Sequence, residues 1–285
     1  MTIAIYGSRQ QEPNKEAIAA FIGFFRGRGV RVLMHNHLYT TLMQLIPEAM
    51  GQVERVMEEM PFSADVAVSF GGDGTFLRTA MWVGASEIPI LGVNTGHLGY
   101  LTTARVDDLD DVAHELMEGR YTVEPRSVIE VVSPRLRTWP FALNEVVVNK
   151  YETSSMVVCD TTVNSRPLAS YRADGLIVST PTGSTAYSLS VGGPLIQPSV
   201  PVWVLSPIAA HSLSMRPLVV GDDSHIAITV DSRATGFRLT LDGRTGTVPV
   251  GATVELRKAP FCVKVICRES YEFPTALRTK LCWGM

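Results

Sequence analysis

The stretch "ADVAVSFGGDGTFLRTAMWVG", residues 64–84, decides the reading of the fold. Its first seven residues form a continuous apolar run, as in a strand buried on both faces. "GGDGT", residues 71–75, follows at once, and "TFLRTAMWVG" then has helical spacing. Strand, glycine loop and helix in that order place the loop at the carboxyl end of a strand. Open α/β sheets bind their ligands there. The loop is neither a dinucleotide fingerprint, because Leu77 stands where a small third residue is needed, nor a phosphate-binding Walker loop, which the chain lacks. Its glycines can bring backbone N–H groups close to phosphate. Asp73 would repel a bare phosphate but suits a hydroxyl, or a phosphate whose charge Mg²⁺ covers. A carboxylate beside a nucleotide cradle is what phosphoryl transfer to an alcohol needs, since the alcohol must lose a proton late in the reaction.

On either side of this stretch, strand and helix signals alternate. "TIAIYG", "VRVLMHN" and "IPILGVN" read as strands. "EPNKEAIAAFIGFFRGRG", residues 48–60 and "DDLDDVAHELMEGR" read as helices. The alternation predicts an α/β domain with a parallel, doubly wound sheet over residues 1–119. From Tyr121 onward β-branched and turn residues dominate, predicting a mostly β domain over 120–266. The tail, 267–285, is helix-capable and is expected to return to the first domain.

The 285 residues carry 25 basic and 28 acidic side chains, a net charge of −3 that offers no footprint for nucleic acid or a membrane surface. No apolar run reaches the ~18–20 residues of a spanning helix, and the N-terminus does not read as a signal peptide. The four cysteines lack metal-site spacing and are expected to be thiols in a cytoplasmic protein.

Two further constellations carry chemistry. Asn144 and Glu145 interrupt the apolar strand "FALNEVVVNK" and could face a base edge or ribose hydroxyls. "YRADGLIVSTPTGSTAYSLSVGGPLI", 171–196, gathers Arg172, Asp174, Thr180, Thr182, Ser184, Thr185, Tyr187 and Ser190 around glycines. That composition suits a polar pocket with one aromatic. A helix after Pro181 would aim N–H groups at an anion.

Taken together, "GGDGT", the "NE" pair, "DGLIVSTPTGSTAYSLSVGGPL" (174–195) and "GVNTGHLGYLT" (92–102) resemble the hallmark segments of the NAD kinase family, in that family's order. The resemblance implies transfer of the terminal phosphoryl of ATP to the 2′-hydroxyl of the adenosine ribose of NAD. It implies Asp73 as proton acceptor, with Gly72 and Gly74 lining the dinucleotide and Arg78 reaching phosphate. It implies that Asn144 and Glu145 hold the adenosine portion, with Ser155 and Thr182 among the substrate- or cofactor-binding residues. Thr185, Ala186, Tyr187, Ser188, Leu189 and Ser190 would form the adenine and ribose pocket. Arg172 and Asp174 would contact NAD across a subunit interface of a homo-oligomer, dimer or tetramer. A divalent metal, Mg²⁺, would accompany ATP. Two positions depart from the family: Arg244, where many relatives show Gln after Asp-Gly, and His97, where relatives often show Arg.

The alternatives are a lipid kinase with a GGDGT loop and a non-catalytic NAD(P) sensor. The first should show a lipid-accepting surface or anchor, and the second should lack the central carboxylate. A hydrolase lacks parts: there is no G-x-S-x-G elbow, and "HELME" puts Glu118 where a zinc motif needs its second His.

Overall fold

The computed structural model describes residues 1–57, 61–96, 99–151 and 156–284, and the chain forms two units. One comprises Met1–Pro125 with Val263–Met285, the other Arg126–Cys262.

In the first unit the elements run β1 (Thr2–Gly7), α1 (Lys15–Arg26), β2 (Arg31–His35), α2 (Asn36–Leu45), β3 (Glu54–Val56), β4 (Val66–Phe70), α3 (Asp73–Val83), β5 (Ile90–Asn94), β6 (Ala104–Arg105), α4 (Leu109–Glu118) and β7 (Tyr121–Arg126). The sheet order is β3-β2-β1-β4-β5, continued by the returning strand Val263–Arg268 and then β7, with β6 paired to β5. β1 pairs in parallel with β2 on one side and with β4 on the other, so the strand order reverses between β1 and β4. All five residues of β4 are buried, as its near-continuous apolar run predicts, including Ser69, whose hydroxyl accepts from Thr79.

The helices cover this sheet with apolar faces at helical spacing. α1 buries Ile18, Phe21, Ile22 and Phe25, and α4 buries Leu109, Val112, Ala113 and Leu116. Each such side chain contributes about 1.5–3 kcal/mol by leaving water. α4 also opens on Asp110 and Asp111, acids in the first turn that favour the helix dipole.

Several local expectations are corrected. Residues 48–60 are not a helix. The helix is Asn36–Leu45, which Pro47 follows, and Glu54–Val56 is an edge strand; residues 58–60 lie outside the described residues. "YTVEPRSVIEVVS" is two strands, Tyr121–Arg126 in the first sheet and Ile129–Ser133 in the second unit. These corrections do not touch the last helix, Phe273–Leu281, which falls in the first unit with Met1–Pro125.

The second unit is two six-stranded sheets whose pairs are antiparallel. One contains, among others, Glu145–Lys150 between Gly175–Ser179 and Gly236–Leu241. The other contains Val157–Val163 between Arg166–Ala173 and Ile226–Ser232. Trp203, Phe237, Ile228 and Leu176 are among its fully buried core residues. The expected parallel α/β part and mostly β part are thus both present, and the second proves antiparallel. No helix among the described residues is long and apolar enough to cross a membrane.

Candidate active site

The glycine loop leaves β4 at Gly71 and enters α3 at Asp73, with Gly72 as N-cap. Asp73 is half-buried, whereas Gly74 and Arg78 are exposed. The Asp73 carboxylate is gripped by the backbone. Tyr100 N–H donates to Oδ2 at 2.8 Å and Leu101 N–H to Oδ1 at 2.9 Å. This grip needs Gly99, because a Cβ there would collide with Asp73 Oδ1. Each carboxylate oxygen keeps a second lone pair for another donor. The arrangement fixes where the acid points and leaves it able to accept from a hydroxyl.

Behind this clamp lies a residue that the sequence reading passed over. Lys280, on the last helix, donates from Nζ to the carbonyls of Thr102 at 2.5 Å and Tyr100 at 3.2 Å. Burial lowers its pKa and the Asp73 charge opposes that shift. Lys280 therefore braces the peptide segment whose N–H groups hold Asp73. Its acceptors are carbonyls about 180 residues away, so nothing in the tail's sequence marks it.

In the second unit, Asn144 and Glu145 stand where Glu145–Lys150 begins, and Glu145 pairs with Ser179. The turn after Ser179 folds back on them. Thr180 N–H donates to Asn144 O at 2.9 Å, and Thr180 Oγ1 donates to Leu143 O at 2.6 Å. Gly183 lies so close to Asn144 O that no Cβ would fit. Much of the hydroxyl richness is absorbed by this turn. Thr180, Ser184 and Thr185 bond its backbone, and Ser188 Oγ is paired with Ser206 Oγ at 3.0 Å. The expected helix after Pro181 is only a 3₁₀ turn, Thr182–Thr185, and one helical turn, Tyr187–Ser190, too short for an anion site.

Where this turn meets the strand, Asn144 Oδ1, Glu145 Oε2 and Thr182 Oγ1 are buried without a hydrogen-bond partner among the described residues. Leaving such groups unpaired costs about 1–3 kcal/mol each. They come from two segments that the fold brings together. Beside them, Thr185, Ala186 and Leu189 are half-buried, and Tyr187 and Ser190 are exposed.

Asp242 completes this region. It sits with positive φ in the turn before Arg244–Pro249. Its carboxylate accepts from the N–H groups of Leu143 at 2.7 Å, Asn144 at 2.8 Å and Glu145 at 3.2 Å. Burial raises its pKa, while these three donors and the Arg244 charge pull it back. Glu145 is pushed up to about 7, first by burial and then by the Asp242 charge, against an N–H donated by Tyr187. Arg244 donates to the carbonyls of Trp139 and Phe141 at 2.6 Å each, so the residue that departs from the family pattern ties down the chain entering this strand.

Arg172 and Asp174 are placed apart from this group. Asp174 pairs with Lys150 at 2.8 Å, and Arg172 is exposed. In the register Glu145↔Ser179 and Asn149↔Gly175, Asp174 falls at the far end of the strand pair from Asn144. Five residues of strand separate the two ends, roughly 16 Å. Ser155 and His97 lie outside the described residues.

Comparison with known proteins supplies the context. A family model for the ATP-NAD kinase N-terminal domain matches residues 12–121, and one for the C-terminal domain matches 143–267. The NAD kinase of Porphyromonas gingivalis is 42% identical, covering 99% of this chain and 98% of its own. That of Bacteroides fragilis is 38% identical, covering 100% and 98%. Among solved structures, yeast NADH kinase complexed with NADH superposes with a TM-score of 0.87 at 23% identity, over 100% of this chain and 88% of its own. An NAD kinase from Archaeoglobus fulgidus in complex with ATP gives 0.72 at 23% identity, over 94% of each. At that identity the two structures speak to the fold.

Proposed function

Because this chain belongs to the NAD kinase family and is an enzyme of that family, we propose that it makes NADP and ADP from NAD and ATP. The 2′-oxygen of the adenosine ribose attacks the terminal phosphorus, and the bond to the β–γ bridging oxygen breaks. ADP departs with the electron pair, and the 2′-hydroxyl proton passes to Asp73.

The observation that carries this reading is the trio of buried, unpartnered acceptors at Asn144, Glu145 and Thr182. Two carbonyl or carboxylate oxygens and one hydroxyl suit an adenosine, which brings hydroxyl and amino donors. In this reading Thr185, Ala186, Tyr187, Leu189 and Ser190 flank the adenosine. Ser188 contributes backbone only, since its hydroxyl is spent on Ser206. Gly72 and Gly74 let the dinucleotide approach the loop, and Arg78 meets phosphate. The strand-length separation of Arg172 and Asp174 from Asn144 suits a contact made to a neighbouring subunit's dinucleotide in a homo-oligomer. All four cysteines carry thiols rather than disulfides, which suits the cytoplasm.

Among the described residues, no group of three or more His, Cys, Asp or Glu side chains could hold a metal. A magnesium would accordingly arrive with the nucleotide's phosphates rather than in a cage of protein side chains. Bound there, it supplies neutralisation of charge on the transferred group.

The test is to incubate folded protein with NAD, ATP and Mg²⁺ and to measure NADP with a dehydrogenase that requires it. NADP formation is expected. A rate no higher than the enzyme-free control overturns the proposal, and parallel arms with polyphosphate and NADH define donor and acceptor range.

A further inference from the structure

Gln11 is completely buried in the link between β1 and α1. Glutamine rarely hides in this way, because its amide brings two donors and an acceptor that all lose water. Here both donors are used. Nε2 donates to Ser8 Oγ at 2.8 Å and to the carbonyl of Phe70 at 3.1 Å. Oε1 accepts from Asn14 Nδ2 at 3.5 Å, and Asn14 Nδ2 also donates to the carbonyl of Thr95 at 3.4 Å. The local sequence arranges the pair. Pro13 lies in a single 3₁₀ turn, Glu12–Asn14, and Asn14 N–H donates to Gln11 O at 3.0 Å. Positions three apart eclipse in such a turn, so Gln11 and Asn14 stand on one side of it.

The two carbonyls that this pair reaches lie at the two approaches to Asp73. Phe70 is the last residue of β4, and its peptide opens the glycine loop that delivers Asp73 to α3. Its carbonyl takes two donors, Gln11 Nε2 and Ser8 N–H, the latter at 3.1 Å. Just beyond it the loop is close-packed, since a Cβ on Gly71 would collide with Thr75. Thr95 follows β5, at the start of the connection that leads to Tyr100 and Leu101, whose N–H groups grip the Asp73 carboxylate. One polar strap thus ties down both the loop that carries the acid and the connection that holds it. The described side-chain hydrogen bonds of Gln11 stop at Ser8, Phe70 and Asn14, so its effect on Asp73 passes through the backbone.

We propose that Gln11 is a positioning residue for phosphoryl transfer: together with Asn14 it fixes the glycine loop against the segment that grips it, and so sets where the Asp73 carboxylate points. This assignment rests on the kinase reading above. A buried amide whose donors are all used favours one arrangement of its partners.

Gln11→Met keeps the length of the side chain and removes its donors. Its kcat should fall about 10–100-fold, as for an acceptor misplaced by up to ~1 Å, with the KM values for NAD and ATP within twofold. Asn14→Ala, at a half-buried position with longer bonds, should fold readily and lose about threefold in kcat, the worth of one weak hydrogen bond. The Asp73→Asn background separates positioning from plain stability. There the loss from Gln11→Met should shrink to within twofold, because no proton acceptor remains to be misplaced. Equal fold losses in both backgrounds overturn the proposal, as does an unchanged kcat in folded Gln11→Met or a defect confined to either KM. Should Gln11→Met fail to fold, Asn14→Ala carries the same cycle. If the unaltered protein forms no NADP, the kinase reading falls on its own, and hydrogen exchange decides the strap. The Tyr100 and Leu101 amides, followed by mass spectrometry, should exchange at least about tenfold faster in Gln11→Met. An unchanged exchange rate removes Gln11 from the clamp.

Discussion

Asp73 and Asp242 are held by the same device in the two units: consecutive backbone N–H groups donate to one carboxylate, two for Asp73 and three for Asp242. They differ in what surrounds them. Asp73 is half-exposed at the start of a helix, and its oxygens retain capacity for a further donor. Asp242 is half-exposed too, in a hairpin turn, but its carboxylate is enclosed enough for burial to raise its pKa, with Arg244 at hand, and its acceptor capacity is turned inward on the peptide that carries Asn144 and Glu145. A backbone grip therefore orients a carboxylate for chemistry in one case and uses a carboxylate to orient a recognition strand in the other. Whether the carboxylate keeps acceptor capacity for an outside donor decides which.

Replacing each acid by its amide breaks the comparison most sharply. In Asp73→Asn the amide nitrogen faces an N–H donor and cannot take the proton. We expect kcat to fall about 10²–10⁴-fold with the KM for NAD changed little, and urea denaturation to show a stability change under about 1 kcal/mol, because the freed N–H can reach water. A loss confined to NAD affinity would make Asp73 a binding residue instead. Asp242→Ala should act in the opposite sense. It strands three buried N–H groups and puts alanine at a positive φ, so we expect a loss of about 3 kcal/mol or more in urea denaturation. Asp242→Asn, which keeps the turn preference, should lose about 1–2 kcal/mol and raise the KM for NAD. Equal stability of the unaltered protein and Asp242→Ala would remove Asp242 from its positioning role.

The same contrast explains what could be read in advance. "GGDGT" announces Asp73 because glycines around an acid, between an apolar strand and a helix, have no cheaper local explanation. The polar pair Asn144–Glu145 stands out against an apolar strand in the same way. Asp242 does not stand out. Asp242 and Gly243 both have positive φ, which is what a two-residue hairpin turn asks of Asp-Gly, so the local role hides the distant one. The hydroxyl-rich turn misled in the other direction. Most of its Ser and Thr side chains serve the turn, and Thr182 differs from its equally buried neighbours Thr180 and Ser184 only in that its hydroxyl has no partner among the described residues. The helix expected at 48–60 failed because Pro47 and Gly51 break the segment, and the pairing of Glu54–Val56 with β2 is a tertiary fact.

Lys280 sharpens the comparison on the first unit's side. Asp242 has a cationic neighbour in Arg244, and Asp73 has a more distant one in Lys280, acting through the Tyr100 and Thr102 carbonyls. If that brace sets the direction of Asp73, Lys280→Met should lower kcat about tenfold, the equivalent of one charged hydrogen bond, with both KM values within twofold. Lys280→Arg, which restores the charge and donors, should recover part of the rate. A kcat unchanged in Lys280→Met would confine Lys280 to packing the tail.

The smallest expected effect concerns Glu145, whose carboxyl is pushed up to about 7 from 4.5 by burial and by Asp242. Between those values the folded state binds more protons than the unfolded chain. Stability therefore falls as pH rises from about 4.5 to about 7, and then levels off with respect to this group. Adenosine reverses the balance at the site, because ribose hydroxyls and an amino group donate to the ionised form and favour it. The KM for NAD should accordingly drop about fivefold from pH 6 to pH 8, as the proton that binding must expel is already gone. Glu145→Gln should flatten both profiles and be the more stable protein at pH 8. A KM for NAD that rises over the same interval would mean that Glu145 meets the nucleotide protonated, as a donor, and would reverse its assigned role.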